Sequence, residues 1–237
     1  MTLAGNQPYF FPYLGYFSLI HATDKWVVGD PVHFIRKGWI HRNRILKPSL
    51  DDWQYILVPV KKHDQTTAIK DVLVSDHENW REKICAQLAH YQKVAPFYQE
   101  TIGLVEDCFS CEIDHLSPLI VHFLKKTCDY LEIDFDYVYF SEMGFELSDF
   151  KAPSDWAINT TKYFDAKTYI NLPGGRAIYD PADFNRHGIQ LLFLEPDLHA
   201  YDQKNKEFLP GLSILDVLMF NSREKVQEMV RSYRLVP

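Results

Sequence analysis

Three short stretches of this chain gather residue types that could hold a ligand. Residues 7–17, Gln7-Pro8-Tyr9-Phe10-Phe11-Pro12-Tyr13-Leu14-Gly15-Tyr16-Phe17, crowd six aromatic rings, two prolines and one glycine into eleven positions. Two prolines exclude an ordinary helix or central strand there, so the stretch reads as a shaped loop leading into a helix. Within it, Gln7 offers both donors and an acceptor, and Tyr9 and Tyr13 offer rings with polar tips. A planar or sugar-like ligand could rest against such a loop, although simple packing would use the same rings. Residues 36–44 place Arg36, Lys37, His41, Arg42 and Arg44 around Trp39 and Asn43. Guanidinium forks, a lysine point charge and a stacking indole suit a diphosphate joined to a base or sugar, and a solvated basic face is the bland reading. Asn171-Leu172-Pro173-Gly174-Gly175, followed by Tyr179, leaves backbone amides able to approach ligand oxygens, or else makes a tight turn.

Acid–base candidates are fewer. Asp30 ends an apolar run and precedes the basic stretch, so Asp30 and His33 are the proposed catalytic pair, with capping of the Asp30-Pro31 turn as the competing role. No Ser-His-Asp set and no metal-spaced cluster can be read from the spacing, so no metal is expected and no cofactor is assigned. Cys108 and Cys111 have the CxxC spacing in an apolar helical context without a second pair, which reads as buried thiols. Asp216, inside an apolar run, should have a buried partner.

The elements that must carry these residues alternate. Helix is expected over 17–22, strands over 25–29, 53–60 and 68–74, and helical spacing through 79–132. Strands follow at 136–141, 167–171 and 189–194, with helices at 154–163, 184–188 and 213–220, the last capped by Ser213. This predicts an α/β fold, a mixed or mainly parallel sheet with flanking helices, formed as one domain over 1–237 with a helical subdomain at 79–132. Ligand loops in such folds gather at the strand ends. Gln7 and Tyr9 are therefore expected on one cleft with Asn171, Gly174 and Gly175.

The 237 residues carry 25 Lys plus Arg against 32 Asp plus Glu, a formal charge of −7, which argues against nucleic acid as a general partner. No membrane span and no export signal can be read, and four cysteines are few, so a cytoplasmic location is expected.

The loop of residues 7–20, Asp30, Phe34, Lys37-Gly38-Trp39, Arg42-Asn43-Arg44, Val58-Pro59-Val60, residues 172–175, Tyr179 and residues 212–219 together resemble the WbqC-like protein family across nearly the whole chain. One departure is the weak Ala4-Gly5-Asn6 where similar proteins carry an apolar strand. The resemblance implies a place in bacterial surface-polysaccharide (O-antigen) synthesis, beside enzymes of nucleotide-linked sugars. Combined with the residue types, it points to acyl or aminoacyl transfer to a sugar amine, with the acyl or aminoacyl donor as second partner. Two alternatives stay open: nucleotidyl or adenylyl transfer from the N-terminal loop, by architectural analogy with nucleotidylyltransferases of the HIGH type, and a non-catalytic binding or scaffolding protein.

Overall fold

The computed structural model describes residues 1–75, 79–146, 148, 150–205 and 207–237. Its centre is a six-stranded sheet of β1 (Thr2–Asn6), β2 (Lys25–Val28), β5 (Tyr137–Tyr139), β6 (Thr168–Asn171), β7 (Gln190–Pro196) and β8 (Tyr233–Val236), in the order β5-β2-β1-β6-β7-β8. All neighbours are parallel except β7 and β8. The chain starts at β1, steps outward to β2 and β5, returns to lay β6 on the other side of β1, and steps outward again to β7 and β8. The direction of winding thus reverses between β1 and β6.

Period-two alternation sends neighbouring strand residues to opposite faces. Leu3, Val27 and Tyr169 face a smaller core with α5 (Pro153–Tyr163) and α6 (Pro181–Arg186). Ala4, Trp26, Val28 and Ile170 face a larger one. There they meet α1 (Leu14–His21), α4 (Leu116–Tyr130), α7 (Ile214–Phe220) and α8 (Arg223–Arg231). The helical middle of the chain, α2 (Trp80–Leu88), α3 (Tyr98–Phe109) and α4, belongs to this larger core. β3 (Arg42–Leu46) and β4 (Trp53–Leu57) form a separate antiparallel ribbon.

Two sequence expectations are corrected. The 53–60 strand ends at Leu57, because Pro59 has no N–H to continue a ladder. Residues 68–74 form no strand: Ile69–Asp71 is a 3-10 turn flanked by single bridges such as Val60 to Val74. Ile69 and Val72 are both fully buried, and their three-residue spacing puts them on one face of that turn. β1, weak in sequence, is the sheet's central strand, with Leu3 and Ala4 fully buried.

Candidate functional site

The opening loop divides its rings between two tasks. Phe10 and Phe11 are buried, and the Phe11 ring lies parallel to Phe123 of α4 at 5.3 Å. Tyr16 is buried and donates its hydroxyl to the Gln7 carbonyl at 2.8 Å. Phe11 sits at φ 37°, a left-handed conformation that costs a branched or bulky residue of order 1–3 kcal/mol. What holds it is visible: the Phe11 carbonyl accepts from Asn43 Nδ2 at 2.9 Å and from Ser213 Oγ at 2.7 Å. Tyr9 and Tyr13 turn the other way, into a cavity of about 950 Å³.

That cavity occupies the winding reversal. Register pairs Thr2 with Thr168 and Leu3 with Tyr169 and stops, although β1 runs on to Asn6 and β6 to Asn171. The strand ends therefore part, and Gly5, Asn6, Gln7, Asn171 and Leu172 line the opening between them. Open α/β sheets bind ligands at such a crevice outside the carboxyl ends of the strands. Gly174, Gly175 and Tyr179 close one wall, while Trp39, Asn43 and Arg44 from the ribbon and its approach form another. Phe150, Lys151 and Trp156 come from the start of α5 and the segment before it.

Glycines set the positions of two lining side chains. A Cβ on Gly5 would stand 2.5 Å from the Trp156 ring, and one on Gly175 would stand 2.7 Å from Asn171 Nδ2. Both distances are below van der Waals contact, so the indole and the carboxamide take their places only against glycine. Gly174 has open space around it. The close approach expected of this glycine pair is thus made at Gly175, by Asn171.

Arg44 is the most unusual member of the wall. Its Nη2 donates to the Gly211 carbonyl at 3.1 Å, and its guanidinium carbon lies 5.3 Å from the centres of both the Trp39 and Trp53 rings. Its Nε is buried without a hydrogen-bond partner, and it forms no ion pair among the described residues. Lys151, also in the lining, is exposed, and no carboxylate, histidine or thiol is found among the described lining residues. In a chain of net charge −7, the described lining of the cavity is positive. The phenols stay protonated: burial raises Tyr9 and Tyr179, and burial followed by the nearby Tyr9 raises Tyr13 to about 12. The wall therefore offers hydrogen-bond donors that suit acceptor oxygens.

Of the candidate residues, Gln7, Tyr9, Tyr13, Trp39, Asn43, Arg44, Asn171, Gly174, Gly175 and Tyr179 surround this one cavity. Asn43 does so from a fixed position, its amide nitrogen donating to the Phe10 and Phe11 carbonyls at 3.0 and 2.9 Å. The structure places Asp30, His33, Lys37 and Arg42 elsewhere. The Asp30 carboxylate is buried and accepts from Ser141 N–H at 3.1 Å and Ser141 Oγ at 2.6 Å. His33 and Lys37 are exposed. Arg42 lies over the Tyr55 ring at 4.1 Å and donates to the Lys37 and Gly38 carbonyls. Sequence reasoning missed Asn6, Lys151 and Trp156. Asn6 had a readable signal, since Asn6-Gln7-Pro8 repeats the Asn-x-Pro pattern of Asn171-Leu172-Pro173.

The WbqC-like protein family matches residues 7–228, a span that runs through most of the cavity-forming segments. The chain belongs to the WbqC-like protein family. A curated relative, the uncharacterized protein Rv1507c of Mycobacterium tuberculosis, is 27% identical over 231 residues, covering 96% of each chain. No solved structure matches this WbqC-like chain. Among its described residues, no group of three or more histidines, cysteines or acids could hold a metal ion, and no helix is long and apolar enough to cross a membrane.

Proposed function

We propose that this protein binds a nucleotide-linked sugar in the crevice between β1 and β6 and serves bacterial surface-polysaccharide synthesis as a transferase, moving an acyl or aminoacyl group to a sugar amine. The observation that carries the reading is Arg44, a cation with no carboxylate partner among the described residues, in a ring-lined cavity of about 950 Å³. A diphosphate supplies the missing charge, and Trp39, Tyr9 and Tyr13 offer faces to a base or sugar. The gathering of both motif regions round one cavity favours a ligand site over the scaffolding alternative, which needs them spread on an open face. The lining also favours a particular division of labour. With protonated phenols, Arg44 and Lys151 as the ionisable groups among its described residues, the wall orients a substrate and polarises its oxygens. The rate then comes from holding a neutral amine against the carbonyl of an activated acyl donor, a proximity effect worth up to roughly 7–11 kcal/mol in well-aligned cases. The new N–C bond forms as the bond to the donor's own leaving group breaks, and the amine proton passes to water or to that leaving group.

The test is a thermal-shift panel of UDP-, GDP- and dTDP-sugars, ATP and acyl-coenzyme A on the purified protein. A binding nucleotide sugar at 100 times its dissociation constant stabilises the fold by about 2.7 kcal/mol. Arg44→Ala should then weaken that binding by about 1.5–3 kcal/mol in calorimetric titration. A panel in which no nucleotide sugar raises the melting temperature rejects the proposal.

A further inference from the structure

Asn6 and Asn171 end adjacent parallel strands on either side of the crevice, and both line the cavity. Each folds its side chain back in the same way. Asn6 Oδ1 accepts the Gln7 N–H at 2.8 Å, and Asn171 Oδ1 accepts the Leu172 N–H at 2.8 Å. A backbone N–H can bond only to the oxygen of a carboxamide, so this bond fixes which end of each amide is which. The nitrogen is left as the free end, and neither Nδ2 has a partner among the described residues. At Asn171 the side chain also depends on residue 175, because a Cβ there would stand 2.7 Å from its Nδ2 and glycine leaves that space open. Two donor groups, each oriented by the backbone and each without an acceptor among the described residues, thus flank the point where the sheet opens. Nothing in the turn geometry itself requires the second strand to repeat the arrangement.

We infer that Asn6 and Asn171 form a matched pair of carboxamide donors across the β1–β6 crevice that holds phosphate oxygens of the bound ligand. The inference deepens the nucleotide-sugar reading and rests on it for the kind of ligand. It assigns the phosphate-facing position to the strand ends, in the cavity that Arg44 also lines. Donor-only groups select ligands that present acceptors, and a phosphate offers several on one centre.

The probe is inorganic pyrophosphate, titrated calorimetrically into the full chain. Asn6→Asp and Asn171→Asp keep the oxygen that accepts the backbone N–H and replace the donor with a charged acceptor. Ile178→Asp puts the same charge on the exposed rim of the same cavity and measures the bare Coulomb effect. Wild-type protein should bind pyrophosphate, and each asparagine variant should lose about tenfold or more in affinity, the scale of a charge-assisted hydrogen bond. That loss should exceed the loss from Ile178→Asp while melting temperatures stay near wild type. Alanine variants, which also remove the backbone bond, should lower the melting temperature and bind no better. Asparagine-to-aspartate variants that lose no more than Ile178→Asp overturn the inference, as does absence of pyrophosphate binding. If Arg44→Ala alone abolishes binding, the phosphate site stands and the asparagine pair falls. Loss of nucleotide-sugar binding throughout the earlier panel is a separate failure, that of the ligand class.

Discussion

Gly174 and Gly175 stand side by side in the chain and have opposite requirements. At 175 a methyl group would meet Asn171 Nδ2 at 2.7 Å, so Gly175→Ala must displace the carboxamide and its bond to Leu172 N–H. At 174 nothing lies within 4 Å of the added carbon, and the residue faces the cavity. Gly174→Leu should therefore leave stability within about 0.5 kcal/mol of wild type, as surface substitutions do, while filling space a ligand needs. Both variants should weaken nucleotide-sugar binding by at least about tenfold, Gly175→Ala through a lost donor and Gly174→Leu through exclusion. Calorimetric titration of the two, beside their thermal melts, checks this. Full affinity in Gly174→Leu would show that the ligand leaves that wall untouched. The distinction was not readable from two adjacent glycines, because it depends on a side chain four residues away that only the folded turn brings back.

The ribbon of β3 and β4 shows how one element gives neighbouring arginines different tasks. Arg42 and Arg44 lie two residues apart on one strand, opposite Leu57 and Tyr55 in register. Arg42 spends its guanidinium on the Tyr55 ring and two local carbonyls, whereas Arg44 reaches the cavity between Trp39 and Trp53. Arg42→Ala should then cost about 1–2 kcal/mol of stability, measured by urea denaturation, and leave ligand affinity within about twofold. A large loss of affinity would return Arg42 to the ligand. Much of this level was legible beforehand. Alternation and flanking breakers located β2, β5, β6 and β7, and helical spacing located the segment from α2 to α4, since these follow burial on one face. β1 was obscured because its central position lets small residues such as Ala4 and Gly5 serve, with Trp156 filling the space over Gly5. The basic stretch could be recognised as a candidate site, but its split between Arg42 and Arg44 depends on strand pairing at long range. Asp30 follows the same logic: its position at a strand end was readable, and its bond to Ser141, 111 residues on, was not.

At the scale of the whole molecule, distant segments converge on one buried carboxylate. Asp216 of α7 accepts from the Tyr91 hydroxyl at 2.5 Å, the Tyr201 hydroxyl at 2.6 Å and Gln203 Nε2 at 3.0 Å, and the Tyr91 oxygen in turn accepts Leu46 N–H of β3 at 2.9 Å. Burial outweighs these donors and raises the carboxyl from 3.8 to about 6. Between those values the folded state holds more protons than the unfolded one. The group's contribution is therefore full below pH 3.8 and is lost as pH rises through about 6. Relative to Asp216→Asn, which does not titrate, the wild type should lose stability of order 2 kcal/mol between pH 4 and pH 7, read from denaturant unfolding at each pH. Parallel pH profiles for the two proteins would show that the carboxyl does not titrate in this range. We propose that residues 1–237 unfold as one unit, since the loop, the ribbon and the helical segment all join at this cluster and at the Phe11–Phe123 stack. The placement of the indoles has an optical consequence. Of five tryptophans, Trp39 and Trp156 stand in the cavity wall, while Trp26 and Trp80 are buried elsewhere. A molecule entering the crevice changes the surroundings of the first two and leaves the second two as a steady background, so the protein's own fluorescence is a gauge of occupancy that needs no label.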